Sequence, residues 1–253
     1  MLIDPFQLTG LVAIVTGGAG GIGGAIAREF AERGARVLVA DLPAKRERPV
    51  TPCGCLDMTF TALDVTDEAA VDAIFDKAAA DFGRIDILVN SAGIASRAAA
   101  VEHTRETWDN VFAVNVTGTF LCSRSAARHM ITASSGTIIN IASIMGLSGG
   151  GLYPNISYQA SKGAVINMTR ALALEWARSG VRVNAIAPTY VRTDFIKALL
   201  DDPPLRARIE ALTPLGRIAE PSDIAAAAVY LASPAAAMVT GHILAVDGGF
   251  LAQ

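Results

Sequence analysis

Apolar residues along this chain fall into short unbroken runs, and between the runs they recur every three or four positions. The unbroken runs predict seven buried strands, at residues 11–15, 36–41, 57–64, 85–90, 137–142, 181–187 and 243–246. The periodic segments predict helices at residues 22–33, 67–82, 104–130, 157–178 and 205–212. Gly34 is placed to end the first helix, and residues 201–204 indicate a break before the last. Residues 43–55 hold three prolines and no clean period, which is typical of a loop.

Strands that alternate with helices form parallel βαβ units with right-handed crossovers. The pattern therefore predicts one α/β domain over residues 1–253, a doubly wound, mostly parallel seven-stranded sheet with helices on both faces. A hydrophobic content of 52% and a mean hydropathy of +0.41 agree with this fold, because parallel strands are buried on both sides.

Composition and charge exclude several classes of protein. No apolar run approaches the roughly 18 residues of a membrane span, and the N-terminus has no basic, apolar leader. A net charge of −3 without a basic block argues against a nucleic-acid partner. Cys53 and Cys55 resemble half a metal site, but no second Cys/His pair accompanies them, so no metal is expected. Three cysteines do not make a disulfide framework, and we expect a cytoplasmic protein.

A glycine-rich turn lies between the first predicted strand and the first helix. Its sequence fits two overlapping patterns, Gly18-x-Gly20-x-x-Gly23 and Gly17-x-x-x-Gly21-x-Gly23. Glycines let the backbone turn sharply and approach a pyrophosphate, whose charge then lies at the helix N-terminus. Such turns also occur for steric reasons alone, but the strand, turn and helix together indicate a Rossmann-type dinucleotide site.

Asp41 ends the second predicted strand, where a carboxylate accepts hydrogen bonds from the adenosine ribose. The same carboxylate repels the 2′-phosphate of NADP. Gly18 and Leu42 offer no cation to offset that repulsion, although Lys45, Arg46 and Arg48 follow nearby. The sequence therefore favours NAD over NADP as the cofactor.

Three polar residues suggest hydride-transfer chemistry. Tyr158 and Lys162 lie one turn apart on a predicted helix, where an ammonium group is expected to lower the phenol pKa from about 10. Ser143 ends the fifth predicted strand, at the carboxyl edge of the sheet where such folds place their chemistry. Tyr158 is thus a candidate general acid/base, and Ser143 a candidate to hold the substrate oxygen.

Over nearly its whole length the chain resembles the short-chain dehydrogenase/reductase family. The motifs that carry the resemblance are Thr16-Gly-x-x-x-Gly-x-Gly23, Asp64-Val65, Asn90-Ser-Ala-Gly93, Asn115, Ser143, Tyr158-x-x-x-Lys162 and the segment from Pro188 to Thr193. Two positions depart from the family pattern, with Ser91 in place of a common Asn and Thr189 in place of a common Gly.

The resemblance implies roles for these residues. Tyr158 would be the acid/base, Ser143 would orient the substrate oxygen, and Lys162 would bind the nicotinamide ribose and tune Tyr158. Asn115 would hold a water in a proton relay. The implied cofactor contacts are Gly17, Gly21, Ile22, Gly23, Asp41, Asp64, Val65, Asn90, Ala92, Gly93, Tyr158, Lys162, Pro188, Val191 and Thr193.

The substrate is expected to bind between loops at about residues 144–157 and 189–215. Tyr153, Asn155 and Tyr190, with Ser143, are candidates for hydrogen bonds to a hydroxylated substrate. Asp41 and a C-terminal half similar to NAD-linked polyol and sugar dehydrogenases favour oxidation of a secondary alcohol in a polyol or sugar.

Two alternatives remain open. One is an NADPH-dependent 3-oxoacyl or ketone reductase, and the other is a catalytically silent nucleotide-sensing subunit.

The resemblance also implies an assembly of several copies. The helix at 157–178 is apolar on more than one side, at Val165, Met168, Leu172, Leu174 and Trp176. A homotetramer built on this helix and on the 104–130 segment is expected, with residues 250–253 available to close a neighbouring subunit.

Overall fold

The computed structural model describes residues 4–45 and 56–253 and has a seven-stranded sheet at its centre. The strands are β1 (Val12–Thr16), β2 (Arg36–Asp41), β3 (Met58–Ala62), β4 (Ile87–Asn90), β5 (Gly136–Ile141), β6 (Val181–Pro188) and β7 (Ile243–Val246). Their order is β3-β2-β1-β4-β5-β6-β7, and all six neighbouring pairs are parallel. The predicted doubly wound fold is confirmed. The order reverses between β1 and β4, which is where folds of this kind open a crevice for a ligand.

Helices cover both faces of the sheet. They are α1 (Gly21–Glu32), α2 (Glu68–Phe82), α3 (Arg105–Phe112), α4 (Thr119–Thr132), α5 (Ile156–Trp176), α6 (Lys197–Leu200), α7 (Pro203–Ala211) and α8 (Pro221–Ala232). On one face α1 packs against α8, and Ile26, Phe30 and Ile224 are fully buried there. On the other face α2, α4 and α5 enclose a second core around Phe75 and Met130.

The predicted helix at residues 104–130 is interrupted. Between α3 and α4 the chain forms a π-helical turn, Ala113–Gly118, which contains Asn115. Such turns are rare and occur mainly at functional sites, and the apolar spacing alone does not reveal this one.

Two helices were not predicted, and one predicted break is shorter than expected. Neither α6 nor α8 was expected, although the start of α8 carries a signal: Pro221 opens the helix, and the Asp223 carboxylate accepts a hydrogen bond from the Glu220 amide (2.8 Å). The expected break at residues 201–204 is confirmed only for residues 201 and 202, because α7 already begins at Pro203. There the Asp202 carboxylate accepts from the Leu205 amide (3.2 Å), and proline occupies the first turn.

Membrane-spanning helices and clusters of metal-binding side chains are both absent from the described residues. None of the helices is both long and apolar enough to cross a membrane. In the same part of the chain, no three His, Cys, Asp or Glu side chains are grouped so as to hold a metal ion. Cys53 and Cys55, the half-site considered from the sequence, lie outside the described residues, as does most of the predicted loop at 43–55.

Candidate functional site

A cleft of about 820 Å³ opens at the carboxyl edge of the sheet. Most of the predicted site residues line it, although they come from distant parts of the chain: Gly17, Gly21, Ile22, Asp41, Asp64, Val65, Ala92, Gly93, Ser143, Tyr153, Asn155, Tyr158, Lys162, Pro188, Tyr190, Val191 and Thr193. Gly23, Asn90 and Asn115 do not line it. Both predicted substrate loops contribute to one end of the cleft, and the glycine-rich turn and Asp41 contribute to the other.

The glycine-rich turn is shaped by close backbone packing. Gly17 has a φ of +63°, and a Cβ placed there would lie 2.7 Å from the Ala92 backbone. Gly21 also has a positive φ (+54°), and a Cβ on Gly23 would lie 2.3 Å from the Gly17 carbonyl oxygen. Of the two overlapping patterns, Gly17-x-x-x-Gly21-x-Gly23 therefore describes the conformation better, and Gly23 acts through packing rather than by facing the cleft.

The start of α1 presents unsatisfied amides toward this turn. Gly20 is the N-cap of the helix and has no side chain with which to accept from the first-turn N–H groups. No acidic residue occupies that turn either. The free amides and the positive end of the helix dipole suit the diphosphate of a dinucleotide, and the bare glycine backbone leaves room for it.

Asp41 is held by two backbone amides. Its carboxylate accepts from the Ala19 amide (3.0 Å) in the glycine-rich turn and from the Leu42 amide (2.8 Å). Within the described part of the chain no lysine or arginine pairs with it. Arg46, Arg48 and the side chain of Lys45, which were considered as cations for a 2′-phosphate, lie outside the described residues.

Ser143 and Tyr158 meet at the middle of the cleft. Ser143 caps a short turn, Ile144–Gly146, and its hydroxyl oxygen accepts from the Met145 amide (3.1 Å). The nearby Ser143 side chain lowers the pKa of the phenol. This effect is smaller than that of burial, which raises the pKa of Tyr158 to about 12, although part of the side chain is exposed.

Lys162 is not among the groups that shift the Tyr158 pKa in this arrangement, so its expected lowering of that pKa stays a prediction. The Lys162 ammonium nitrogen donates to the Ile141 carbonyl (2.7 Å) and lies 5.6 Å from the centre of the Tyr158 ring. Burial lowers the pKa of Lys162 itself to about 8, because the charged form loses its water. Desolvation thus dominates both groups, and a pattern of residues along a chain carries no information about it.

Both the oxygen and the nitrogen of the Asn115 side-chain amide form hydrogen bonds with other protein groups. Its Oδ1 accepts from the Ile94 amide (2.8 Å), while Nδ2 donates to the Ile94 carbonyl (2.9 Å) and to the Ser161 hydroxyl (3.0 Å). Both amide hydrogens are therefore used, and a water would have to donate to Oδ1. The described contacts make Asn115 a link between the cleft wall at Ile94 and helix α5.

Asn90 lies behind the cleft rather than on its floor. It is buried, and its Nδ2 donates to the Ser123 hydroxyl and to Asn140 Oδ1, both at 2.9 Å. Asn140 in turn donates to Thr169 (2.9 Å). This chain of buried polar groups joins β4 and β5 to α4 and α5, so Asn90 supports the cleft instead of lining it.

The substrate end of the cleft contains polar atoms without partners. Asn155 Oδ1, Thr189 Oγ1 and the Tyr190 hydroxyl are buried and make no hydrogen bond among the described residues. The Tyr190 hydroxyl lies near the Leu152 amide but without good hydrogen-bond geometry, and burial raises its pKa to about 12. Buried polar groups are normally satisfied, so these three are suited to receive the hydroxyl groups of a substrate.

Two residues at this end were missed as site candidates. Thr189 was considered only as a departure from a family glycine, yet it lines the cleft and its buried hydroxyl has no partner among the described residues. Arg97 was not considered, because an arginine in a loop has no distinctive sequence context. Its Nη2 donates to the Phe195 carbonyl (3.0 Å), a contact that only the folded chain provides.

The fold and this site define a class: a dinucleotide-binding α/β protein with a Ser-Tyr-Lys set in its ligand cleft. A family model described as "Enoyl-(Acyl carrier protein) reductase", a short-chain dehydrogenase model, matches residues 17–251. The chain belongs to the short-chain dehydrogenase/reductase family, as its motifs indicated, and is an oxidoreductase that acts on CH–OH groups.

Proteins similar to this chain include dehydrogenases named for substrates that carry a secondary alcohol. Cis-4-hydroxycyclohexanecarboxylate dehydrogenase of Sinomonas cyclohexanicum is 44% identical over 245 residues, covering 95% of this chain and 96% of the relative. Galactitol 2-dehydrogenase (L-tagatose-forming) of Cereibacter sphaeroides is 47% identical over 246 residues, with 97% and 96% covered. A gluconate 5-dehydrogenase from Burkholderia cenocepacia, solved with NADP and tartrate, has a TM-score of 0.91 at 36% identity, with 99% and 98% covered.

Proposed function

We propose that this enzyme moves a hydride between the nicotinamide of NAD and a secondary alcohol in a polyol or sugar-type substrate, with Tyr158 as general acid/base. The observation that carries the proposal is that Ser143, Tyr158 and Lys162 line one cleft together with the glycine-rich turn and Asp41. The relatives named for a hydroxycyclohexanecarboxylate and for galactitol support an alcohol of this kind.

The cofactor would supply the hydride acceptor, a redox function that no side chain of the protein provides. The amides at the start of α1 suit its diphosphate, and the Asp41 carboxylate suits the ribose hydroxyls. Asp64 and Val65 are proposed to flank the adenine. Gly93 leaves space beside the Lys162 ammonium nitrogen, which a Cβ there would approach to 3.6 Å.

The protein side chains would handle the proton. With a pKa of about 12, Tyr158 carries its proton at neutral pH and can give it to a carbonyl oxygen during reduction. In alcohol oxidation the phenol must first lose that proton. Ser143 would hold the same substrate oxygen by its hydroxyl, which is near enough to Tyr158 to lower the phenol pKa.

Asp41 is the basis for preferring NAD. A carboxylate fixed by two backbone amides cannot easily turn away from a 2′-phosphate, so it would repel NADP. The solved relative from Burkholderia cenocepacia contains NADP, which supports the opposite preference for that enzyme. Relative kcat/KM values for the two cofactors decide between them.

The test of the function is the formation of reduced cofactor from NAD or NADP with a panel of polyols, sugar acids and simple secondary alcohols. We expect turnover with NAD by the wild-type enzyme and loss of turnover in Tyr158→Phe. Turnover only of ketones or acyl thioesters with NADPH would support the reductase alternative. Tight cofactor binding without turnover of any alcohol or carbonyl would instead support a nucleotide-sensing role.

A homotetramer is proposed from the family membership and from one outward apolar face. On α5, Leu174 is 84% exposed, and on α4, Phe120 and Ile131 are about two-fifths exposed (40% and 38%). Apolar side chains of this size on neighbouring helices suit burial against another copy. Light scattering should give a mass near four times 26.3 kDa, and a single species at 26.3 kDa would contradict the proposal.

A further inference from the structure

Arg97 is exposed and does not itself line the cleft, but it places a positive charge beside two residues that do, and the function proposed above does not use this charge. The Arg97 Nη2 donates to the Phe195 carbonyl (3.0 Å), and the guanidinium carbon lies 5.0 Å from the centre of the Tyr153 ring. Both Tyr153 and Phe195 line the cleft, and Phe195 also packs against Tyr158, with ring centres 5.8 Å apart. Arg97 is therefore tied to the two loops that enclose the substrate.

The charge of Arg97 is available to a ligand. Among the described residues no carboxylate lies within ion-pair distance of it. A guanidinium has five N–H donors, and the described contacts of Arg97 use one of them. Its positive charge lowers the pKa values of Tyr158 and Tyr190, so its field reaches the hydroxyls between which a substrate would bind.

The other charged groups near the substrate end interact with neighbouring protein groups. The Lys162 ammonium group is buried and donates to the Ile141 carbonyl. Asp194 lines the cleft and interacts electrostatically with Lys197. Among the described residues, Arg97 is thus a cation that lies beside the substrate loops without a carboxylate partner. The unpartnered atoms of Asn155, Thr189 and Tyr190 are buried.

We propose that Arg97 binds a carboxylate of the substrate, so that the alcohol oxidised by this enzyme belongs to a hydroxy carboxylate rather than a neutral polyol. Arginine is suited to this role because its planar fork can donate two parallel hydrogen bonds to a carboxylate. The buried acceptors would bind substrate hydroxyls between the carboxylate and the reacting carbon. The inference rests on the proposed function and names the substrate class of the same site.

Matched pairs of substrates test this proposal. D-gluconate is compared with D-glucitol, and cis-4-hydroxycyclohexanecarboxylate with cis-4-hydroxycyclohexylmethanol, so that each pair differs only at the carboxylate carbon. Arg97→Gln removes the charge but keeps a donor for the Phe195 carbonyl. Arg97→Lys keeps the charge but loses the fork. Arg105→Gln serves as the control, since Arg105 is 93% exposed on α3 and pairs with Asp109.

We expect the wild-type enzyme to prefer the acid of at least one pair by about tenfold or more in kcat/KM. Arg97→Gln should raise the KM of that acid relative to its neutral partner by roughly tenfold to a hundredfold, the usual range for losing a hydrogen bond to a charged group. The kcat for the acid should change little. The relative KM of the acid in Arg97→Lys should lie between those of the wild-type enzyme and Arg97→Gln. Calorimetry of the acid binding to the enzyme–NADH complex should show the same ratio in Kd.

Three outcomes would overturn the proposal. The first is a preference of the wild-type enzyme for the neutral member of every pair. The second is an equal change of the two KM values of a pair in Arg97→Gln, which would assign Arg97 to holding the Phe195 loop. In both cases the dehydrogenase function stands. If no alcohol or ketone is turned over with either cofactor, the proposed function fails and the carboxylate site fails with it.

Discussion

Replacing Asp41 with asparagine removes one negative charge from the cofactor end of the cleft and nearly preserves the shape of the side chain. In the native structure both carboxylate oxygens accept backbone hydrogen bonds, from Ala19 (3.0 Å) and Leu42 (2.8 Å). An amide has one oxygen, so the variant keeps one of these bonds. The Ala19 bond should be kept, because Leu42 is exposed and water can satisfy its amide.

The size of the effect follows from charge and hydrogen bonding. Two unit charges 4 Å apart repel by about 1 kcal/mol in water-like surroundings. A 2′-phosphate of charge near −2 would thus be disfavoured by about 2 kcal/mol, or about 30-fold. Losing a charge-assisted hydrogen bond to the ribose should weaken the binding of NAD by about 1 kcal/mol, or roughly fivefold. The NAD-to-NADP ratio of kcat/KM should therefore fall by about 100-fold in Asp41→Asn.

The assay is initial-rate kinetics with each cofactor at a fixed, saturating alcohol concentration. Asp57→Asn is the matched control. Asp57 lies at the amino edge of the sheet, opposite the carboxyl edge that holds Asp41, and it pairs with Arg36 (2.7 Å). The thermal midpoint should fall slightly in Asp41→Asn, by the loss of one partly exposed hydrogen bond. A cofactor ratio that stays within threefold of wild type, or a wild-type enzyme that prefers NADP, would refute the reasoning.

Three further predictions concern the catalytic tyrosine and the glycine-rich turn. Tyr158→Phe should lower kcat by about 10²- to 10⁴-fold while cofactor binding, measured by fluorescence titration, is retained; a variant with wild-type kcat would contradict the assignment. Because the Tyr158 pKa is about 12, log kcat/KM for alcohol oxidation should rise by about one per pH unit around neutrality, as the phenolate fraction grows, and a flat profile would count against this. Gly17→Ala should destabilise the protein by about 1–3 kcal/mol more than Gly10→Ala in chemical denaturation. Both glycines have positive φ, but only at Gly17 would a Cβ meet backbone, and equal losses would show that the close packing is unimportant.

The strands were predictable mainly because the five central ones are short apolar runs that are largely buried, whereas β3 and β7 at the edges are partly exposed. All seven predicted strands coincide with observed ones to within two residues at each end, and β2 and β7 match throughout. The long helix between β4 and β5 was predicted as continuous, since the π-helical turn at Ala113–Gly118 keeps the segment helical and changes only its pitch. Helix α8 was missed although Glu220, Pro221 and Asp223 carried the signal for its start.

The members of the site were predictable from motifs, but their environments were not. The spacing of Tyr158 and Lys162 placed them on one helix face. Burial raises the pKa of Tyr158 and lowers that of Lys162, and burial depends on the whole fold. Asn90 was expected to contact the cofactor, and Asn115 to hold a water of a proton relay. Their side-chain amides bond to protein groups from distant segments, contacts that the motifs do not indicate. Arg97 joins the site through Phe195, 98 residues away in sequence, which no local pattern indicates.

The most direct test of the central claim follows a deuterium label on the carbinol carbon of a substrate alcohol. The labelled alcohol is incubated with oxidised cofactor and either wild-type enzyme or Tyr158→Phe, and the recovered cofactor is analysed by mass spectrometry. The account predicts that the wild-type enzyme transfers the deuterium to the cofactor and that the variant, although it binds cofactor, transfers almost none. Deuterium transfer by the variant at the wild-type rate would contradict Tyr158 as the acid/base. Absence of transfer by the wild-type enzyme from every secondary alcohol tested would contradict the dehydrogenase function itself.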